Sequence, residues 1–314
     1  MKPNVNPILI GIIAGLVAAL LSAVSPSLPL IGPIAAMTAL FLAGLGFGRV
    51  AGLVAVASAA VAIGAFTSSV ADILLLAGLL LPAAVMSHLA SLARPASEIG
   101  GPETALAWYP LSDILLAGAL VAALATTFLL LMQPIDYAGQ VEQTVQMMKE
   151  IRPDVIILPA EKVWLEATSR TMMPVTIAAG LLVQLFAGFY YATRILAAAR
   201  RNVRPREDIR SSLRMNRLAL ALFFFGLALV IVGGKAQIAG ASLAGALGAG
   251  FLLSGFAVIH NAWRDKSWAL PALVLTYMFS TILGIVIVII GLANPRRAIA
   301  LTPNKPNENS ETPN

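Results

Sequence analysis

Nine long apolar stretches, joined by short polar or Gly- and Pro-containing links, leave this sequence few ways to fold. They cover residues 8–25, 30–47, 50–66, 70–92, 112–132, 172–198, 217–234, 238–260 and 270–293. Each is long enough, or nearly so, to cross about 30 Å of hydrocarbon at about 1.5 Å per residue. Lipid offers backbone groups no water to bond with, so each stretch is expected to be a helix. Continuous apolarity, with no two-residue alternation, excludes a β-barrel. The expected fold class is all-α, a polytopic transmembrane helical bundle of eight or nine spans.

Composition points the same way. Of the 314 residues, 59% are hydrophobic and 11% charged, where a soluble domain carries about 25% charged residues. Residues 1–301 are expected to form a single transmembrane domain. The tail 302–314 (TPNKPNENSETPN) has no apolar side chain to bury and is expected to be disordered. Cysteine is absent, which excludes disulfides, iron–sulfur clusters and thiolate zinc sites and leaves the redox compartment open. The net charge of +6 and pI near 9.9 would suit a nucleic-acid partner. However, the basic residues flank the spans, where they set orientation, and no basic face interleaved with aromatics occurs. No nucleic-acid partner is expected; the expected surroundings are the lipid bilayer.

Lys2 before the first apolar run, with Ser22-Ala23 as a small-residue site, imitates a signal peptide. The run from Ile8 exceeds a usual signal core and further spans follow at once, so an uncleaved span is expected. Orientation follows from the basic residues. Residues 194–217 hold eight arginines (194, 200, 201, 204, 206, 210, 214 and 217) against Glu207 and Asp208. That loop is expected in the cytoplasm. Counting back puts 133–171 outside and Arg94, Arg49, Lys2 and the N-terminus inside. The C-terminus conflicts: nine spans send it outside, although Arg296 and Arg297 follow the last span. Either one stretch is re-entrant or incompletely spanning, the short, Gly-rich second and third being the first suspects, or the eight arginines override the pair.

The external segment 133–171 has soluble character. Val141, Val145, Met148 and Ile151 recur at helical spacing among polar residues, and Pro153 should end that helix. A second amphipathic piece, near Glu161 to Arg170, leads into the sixth span. A helical hairpin lying on the outer membrane surface is expected, with a lid over a cavity or a partner-docking arm as the functional alternative.

Small residues mark packing faces. Gly11, Gly15, Ala19 and Ala23 recur every four residues on the first span, Gly44, Gly48 and Gly52 cross the second junction, and Gly240, Ala244 and Gly248 lie on the eighth. Such faces let helix backbones approach in lipid, inside the bundle or against a membrane protein partner. Asp72 and Asp113 open spans four and five on opposite sides, where carboxylates favour the helix dipole. His88 and His260 lie near span ends with no third ligand to build a metal site, so no metal and no cofactor is expected. Gln184 is the strongly polar side chain nearest a span centre. Phosphate-binding Gly-x-x-x-x-Gly-Lys loops, His-Glu-x-x-His and Gly-x-Ser-x-Gly are absent, so no catalytic residue is assigned and an enzyme is not expected.

The order of features resembles the YybS-like bacterial membrane proteins, a family of unknown function, over about residues 8–298. Gly/Ala-rich spans end in the Arg94 loop, an external amphipathic segment leads to Met173-Pro174, and an Arg-rich loop follows. Then come Gly255 to His260, a turn with Arg264 and Lys266, a span with Tyr277, and Gly291-Leu292 before Arg296-Arg297. That family distantly resembles the S components of energy-coupling-factor vitamin transporters, whose first helix docks a transport subunit through a small-residue face. Gly11, Gly15, Ala19 and Ala23 would fit that role. This chain is longer at its C-terminal end and shows no vitamin-ligand signature. The resemblance implies a bacterial inner membrane location and a small-molecule-binding or transport-related function. A non-transporting scaffold or envelope assembly factor is the alternative, and an intramembrane enzyme the third. Gln184, Tyr190, Tyr191, Asn261 and Tyr277 are the candidate ligand-binding residues; their convergence would favour binding and their scatter a scaffold.

Overall fold

The computed structural model describes residues 6–23, 31–65, 69–133, 135–154, 156–201, 204–205, 207–297 and 299–303. The helices are α1 (Pro7–Ala23), α2 (Ile31–Phe47), α3 (Arg49–Gly64), α4 (Val70–Ala90), α5 (Leu111–Met132), α6 (Tyr137–Ile151), α7 (Pro159–Ala198), one-turn α8 (Ile209–Ser212), α9 (Arg217–Val232), α10 (Gly234–Ala262), α11 (Ala269–Met278) and α12 (Ser280–Leu292). Three short strands, β1 (Ala93–Pro95), β2 (Ala105–Trp108) and β3 (Leu301–Pro303), and a one-turn 3-10 helix at Ala96–Ile99 complete the secondary structure of the described residues. By length and composition, α4, α5, α7 and α10 can each cross a membrane, giving four spans, or five if α11 and α12 count as one. Helices α1, α2, α3 and α9 are equally apolar but only 16 or 17 residues long. On this criterion the described helices support four or five spans, not eight or nine. The expected ends at residues 25, 30 and 66 lie outside the described residues.

One hydrophobic core runs from Ala18 on α1 to Ala257 on α10. Lipid tails are as apolar as these side chains, so close backbone approach and van der Waals contact hold such a bundle together. A Cβ added at Gly11 would lie 2.7 Å from Val54 Cβ, and one at Gly15 would collide with Ser58 and the Ala55 carbonyl. Thus α1 beds into α3. Gly188 lets α7 touch the backbone of Met37 and Thr38 on α2, where Phe41 and Phe189 meet edge-on at 5.6 Å. Gly226 and Gly240 do the same for α9 and α10.

The last apolar stretch differs from expectation. Residues 270–293 form no single straight helix: α11 and α12 bend by 110° at Phe279, as in a broken span or a re-entrant loop. Two contacts hold α12 against α10: a Cβ at Gly255 would strike Ile287, and one at Gly291 would strike the Phe251 carbonyl. On the other side of the break, Tyr277 stacks on Phe256 of α10, 4.7 Å between ring centres and 8° from parallel.

This bend brings the C-terminal chain back to the end of the bundle that carries the arginines. β1, β2 and β3 form an antiparallel sheet in that order, with Arg94 opposite Ala107 and Leu106 opposite Thr302. Trp108 Nε1 donates to Thr302 Oγ1 at 2.8 Å. Arg204 donates to the Tyr109 carbonyl at 2.7 Å, and Arg264 lies 4.0 Å from Asp208. The start of α3 at Arg49 follows the Gly48 turn, and Gly46 faces Leu196 near the end of α7. The α4–α5 link, the α7–α9 link, the end of α10 and the C-terminal chain therefore share one end. Thr302 and Pro303, expected in a disordered tail, belong to β3; residues 304–314 lie outside the described residues.

A second departure is α7. Its 40 residues run unbroken from Pro159, about 60 Å of helix or twice a hydrocarbon core. The amphipathic piece near 161–170 is the first part of this helix, so the second leg of the expected hairpin continues a span and does not lie flat. Helix α6 runs alongside it: Lys162 Nζ pairs with Glu142 Oε2 at 2.5 Å, and Arg170 sits over the Tyr137 ring at 5.4 Å. Val141 and Val145 are buried on the shared face, whereas Met148 and Ile151 are exposed. The helix ends at Ile151, two residues before Pro153, as its sequence expects.

Candidate functional site

Gln184 faces a cavity of about 220 Å³ between α1, α2, α3, α4 and α7. Ala18, Ser22, Met37, Ile63 and Leu80 supply apolar and small walls. The hydroxyl of Ser22 is spent on the Ala18 carbonyl at 2.9 Å. Among the described residues no hydrogen bond engages the Gln184 amide. It therefore offers two N–H donors and a carbonyl acceptor to whatever enters. Gln184 is half-buried and the cavity is partly open, so an occupant could reach this amide and bond with it.

The other four candidate residues do not join it. Tyr190 accepts a bond from Arg194 at 2.7 Å under the guanidinium and meets the exposed Tyr191 edge-on. Asn261 is exposed at the end of α10. Tyr277, half exposed, lies near it only through His260, whose Nε2 is 3.5 Å from the phenol oxygen. Ligand-type residues thus fall in three places, with Gln184 alone on this cavity.

Of the small-residue face on α1, Gly11 and Gly15 are covered by α3, Ala19 is half-buried and Ala23 exposed. A four-residue step advances a helix about 40° beyond a full turn, so a stripe of such steps drifts off the contact. Ala18 takes the buried place instead. The part of this face that packs tightly is used inside the bundle and is not open to a docking partner.

A second, more open cleft of about 530 Å³ lies where α5 ends against α6 and α7, lined by Gln133, Asp136, Gln140 and Gln143 over Leu130 and Ile177. Its polar groups are partly committed. Gln133 donates to Asp72 at 2.9 Å, tying α5 to the start of α4, and Asp136 accepts from Gly139 as the cap of α6. At this arm the hydrogen bond and charge of Lys162 hold the Glu142 carboxyl below its ordinary range, and burial pushes the Tyr137 phenol up.

At the opposite end Asp113 is the hub of a polar cluster. Its carboxylate accepts from Asn216 Nδ2 at 2.7 Å and from Arg297 Nε at 2.8 Å, and the Ser112 hydroxyl lies 3.4 Å away. A helix cap was the expected role; the partners 103 and 184 positions away were not foreseen. The one available signal was charge complementarity between a carboxylate opening a span and an Arg-Arg pair closing another. Asp72 lies at the other end of the bundle. Among the described residues, no three of His, Cys, Asp and Glu come together to hold a metal ion.

The described residues form a helical bundle with four or five candidate membrane spans, an amide-bearing cavity and a basic end. The chain matches no family model, no curated protein and no solved structure.

Proposed function

We propose that this protein is a membrane-embedded binding protein, transport-related, whose ligand is a small neutral molecule held in the α1–α4 and α7 cavity by Gln184. The unpaired amide of Gln184 in an otherwise apolar chamber is the observation that carries this reading. Ligand sites are mostly apolar, with a few polar groups that fix orientation. At about 220 Å³ the cavity is below the usual drug-sized range and suits a molecule of roughly ten non-hydrogen atoms. The six helices α1 to α5 and α7 would form the part that resembles an S component, within a YybS-like bacterial inner membrane protein.

Eight crossings, by α1 to α5, α7, α9 and α10, with α11–α12 re-entrant, suit this chain. They bring Arg49, Arg94, the 194–217 loop, Arg264 and Arg297 to one side, which the positive-inside preference makes cytoplasmic. Helices of 16 or 17 residues can cross if flanking residues contribute or the bilayer thins locally.

Thermal unfolding of the purified protein against a library of small neutral metabolites tests the ligand reading. A hit should raise the midpoint, and Gln184→Leu should abolish the shift while Gln133→Leu in the α6 cleft leaves it intact. A hit indifferent to Gln184→Leu, or no hit at all, refutes it. A second reading, a scaffold for envelope proteins, is favoured by the scatter of the tyrosines and by the apolar tip of the α6–α7 arm. There Ile156 is 84% and Trp164 65% exposed. Photo-crosslinking from position 164 to one defined membrane protein would support it.

A further inference from the structure

Where the α7–α9 link meets the C-terminal chain, positive charge outweighs negative. Arg214 is 8% exposed, and its Nη1 donates to the carbonyls of Leu213 at 2.7 Å and Arg210 at 3.1 Å. Those oxygens satisfy N–H groups without cancelling a charge. Arg296 is fixed beside it, its backbone N–H bonded to the Met215 carbonyl at 3.0 Å. Arg217 and Arg297 flank the pair in sequence.

The carboxylates packed on this cluster are already committed. Asp113 serves Arg297 and Asn216, Glu207 pairs with Arg204, and Asp208 faces Arg264. Among the described residues none lies within 4.0 Å of Arg214, Arg217 or Arg296. Burial, reinforced by the charge of Arg296, pushes the Arg214 guanidinium below its ordinary value. A largely buried cation beside a second cation is costly without an anion to offset both.

We propose that Arg214 and Arg296 bind the phosphate group of an anionic phospholipid at this end of the bundle. Guanidinium groups suit phosphate because their planar forks deliver paired N–H donors. The helices leaving the cluster favour a lipid over free phosphate. Helix α9 starts at Arg217 with Leu218 exposed, and α12 runs toward Arg296 with Ile289 exposed. Both present apolar surface on which acyl chains can lie.

The test uses the full-length protein in a neutral detergent, titrated with dioleoylphosphatidylglycerol, dioleoylphosphatidylcholine or inorganic phosphate, and read by thermal unfolding and native mass spectrometry. Phosphatidylglycerol should raise the unfolding midpoint and be retained, and the other two should not. Arg296→Gln should weaken retention about fivefold, and Arg214→Gln should do the same. Lys235→Gln, removing a cation at the opposite end of the bundle, should leave retention unchanged. If Arg214→Gln fails to fold, Arg296→Gln decides alone, because Arg296 is exposed and meets Met215 through its backbone. Equal retention of phosphatidylcholine, an equal shift with inorganic phosphate, or unchanged retention by Arg296→Gln would overturn the proposal.

Discussion

Asp113→Ala should loosen the C-terminal chain from the bundle. The magnitude follows from how the two partners are exposed. The Asp113 side chain is 10% exposed and that of Arg297 56%. Breaking a fully buried pair costs about 3–5 kcal/mol, and exposed pairs are worth at most about 1 kcal/mol. With one partner in each regime, the coupling should be about 1–2 kcal/mol. Asp113→Ala also strands Asn216 Nδ2, adding about 1 kcal/mol for an unmade hydrogen bond. Arg297→Ala leaves the Asp113–Asn216 bond in place and should cost less. Unfolding free energies of both single variants and the double variant, from dodecyl sulfate titration in mixed micelles, give the coupling directly. Amide hydrogen exchange at Leu106, whose strand pairs with β3, should quicken in both single variants. Additive losses, with no coupling between 113 and 297, would refute the latch; so would undisturbed exchange in β2.

Three further outcomes follow from the same geometry. Gly291→Leu should cost about 1–3 kcal/mol or detach α12, because the colliding group is the Phe251 backbone and cannot rotate away; Gly284→Leu, where a Cβ meets nothing within 4 Å, is the control read in the same titration. The chain has no cysteine, so single-cysteine labelling is clean: Ser97→Cys, Lys266→Cys and Asn294→Cys should react from one membrane face and Lys235→Cys from the other. Labelling of 266 and 294 from opposite faces would establish α11–α12 as a crossing. The Glu142 carboxyl is held below its ordinary value near 4.5, so its pairing with Lys162 contributes above that value and is lost as pH falls through the lowered one. Protection of the α6 amides, relative to their intrinsic exchange rates, should therefore fall as the pH drops below that ordinary value and should not do so in Glu142→Gln; an unchanged α6 protection at low pH would count against the tether.

Much of the bundle is legible because continuous apolarity and missing Cβ atoms act locally. The run from Leu111 to Met132 has no alternative to a helix, and Gly11 and Gly15 announce a close neighbour without saying that it is α3. The α6 boundary is legible for the same reason, since Pro153 can donate no backbone N–H. What sequence hides is set by distant partners. β2 is four residues long, too short for a period, and β3 reaches it from nearly 200 positions away. The cavity at Gln184 needs walls from four other helices, so the residue is visible as polar in an apolar span while the space it faces is not.

The break at Phe279 shows how a global constraint can reveal what local chemistry conceals. No glycine or proline stands at that position, and the flanking residues are as apolar as those of any span. Yet nine crossings would separate Arg296 and Arg297 from the eight arginines of the 194–217 loop, a parity that the charge pattern resists. A stretch that begins and ends at the same end of the bundle would relieve that conflict. The Gly-rich second and third stretches looked weakest, but glycine there serves packing of α2 and α3 against their neighbours. The stretch that bends is the last, where Gly255 and Gly291 let α12 meet α10 backbone to backbone while Tyr277 stacks on Phe256. A straight helix could not make both contacts, and the Arg297–Asp113 pair closes the turn.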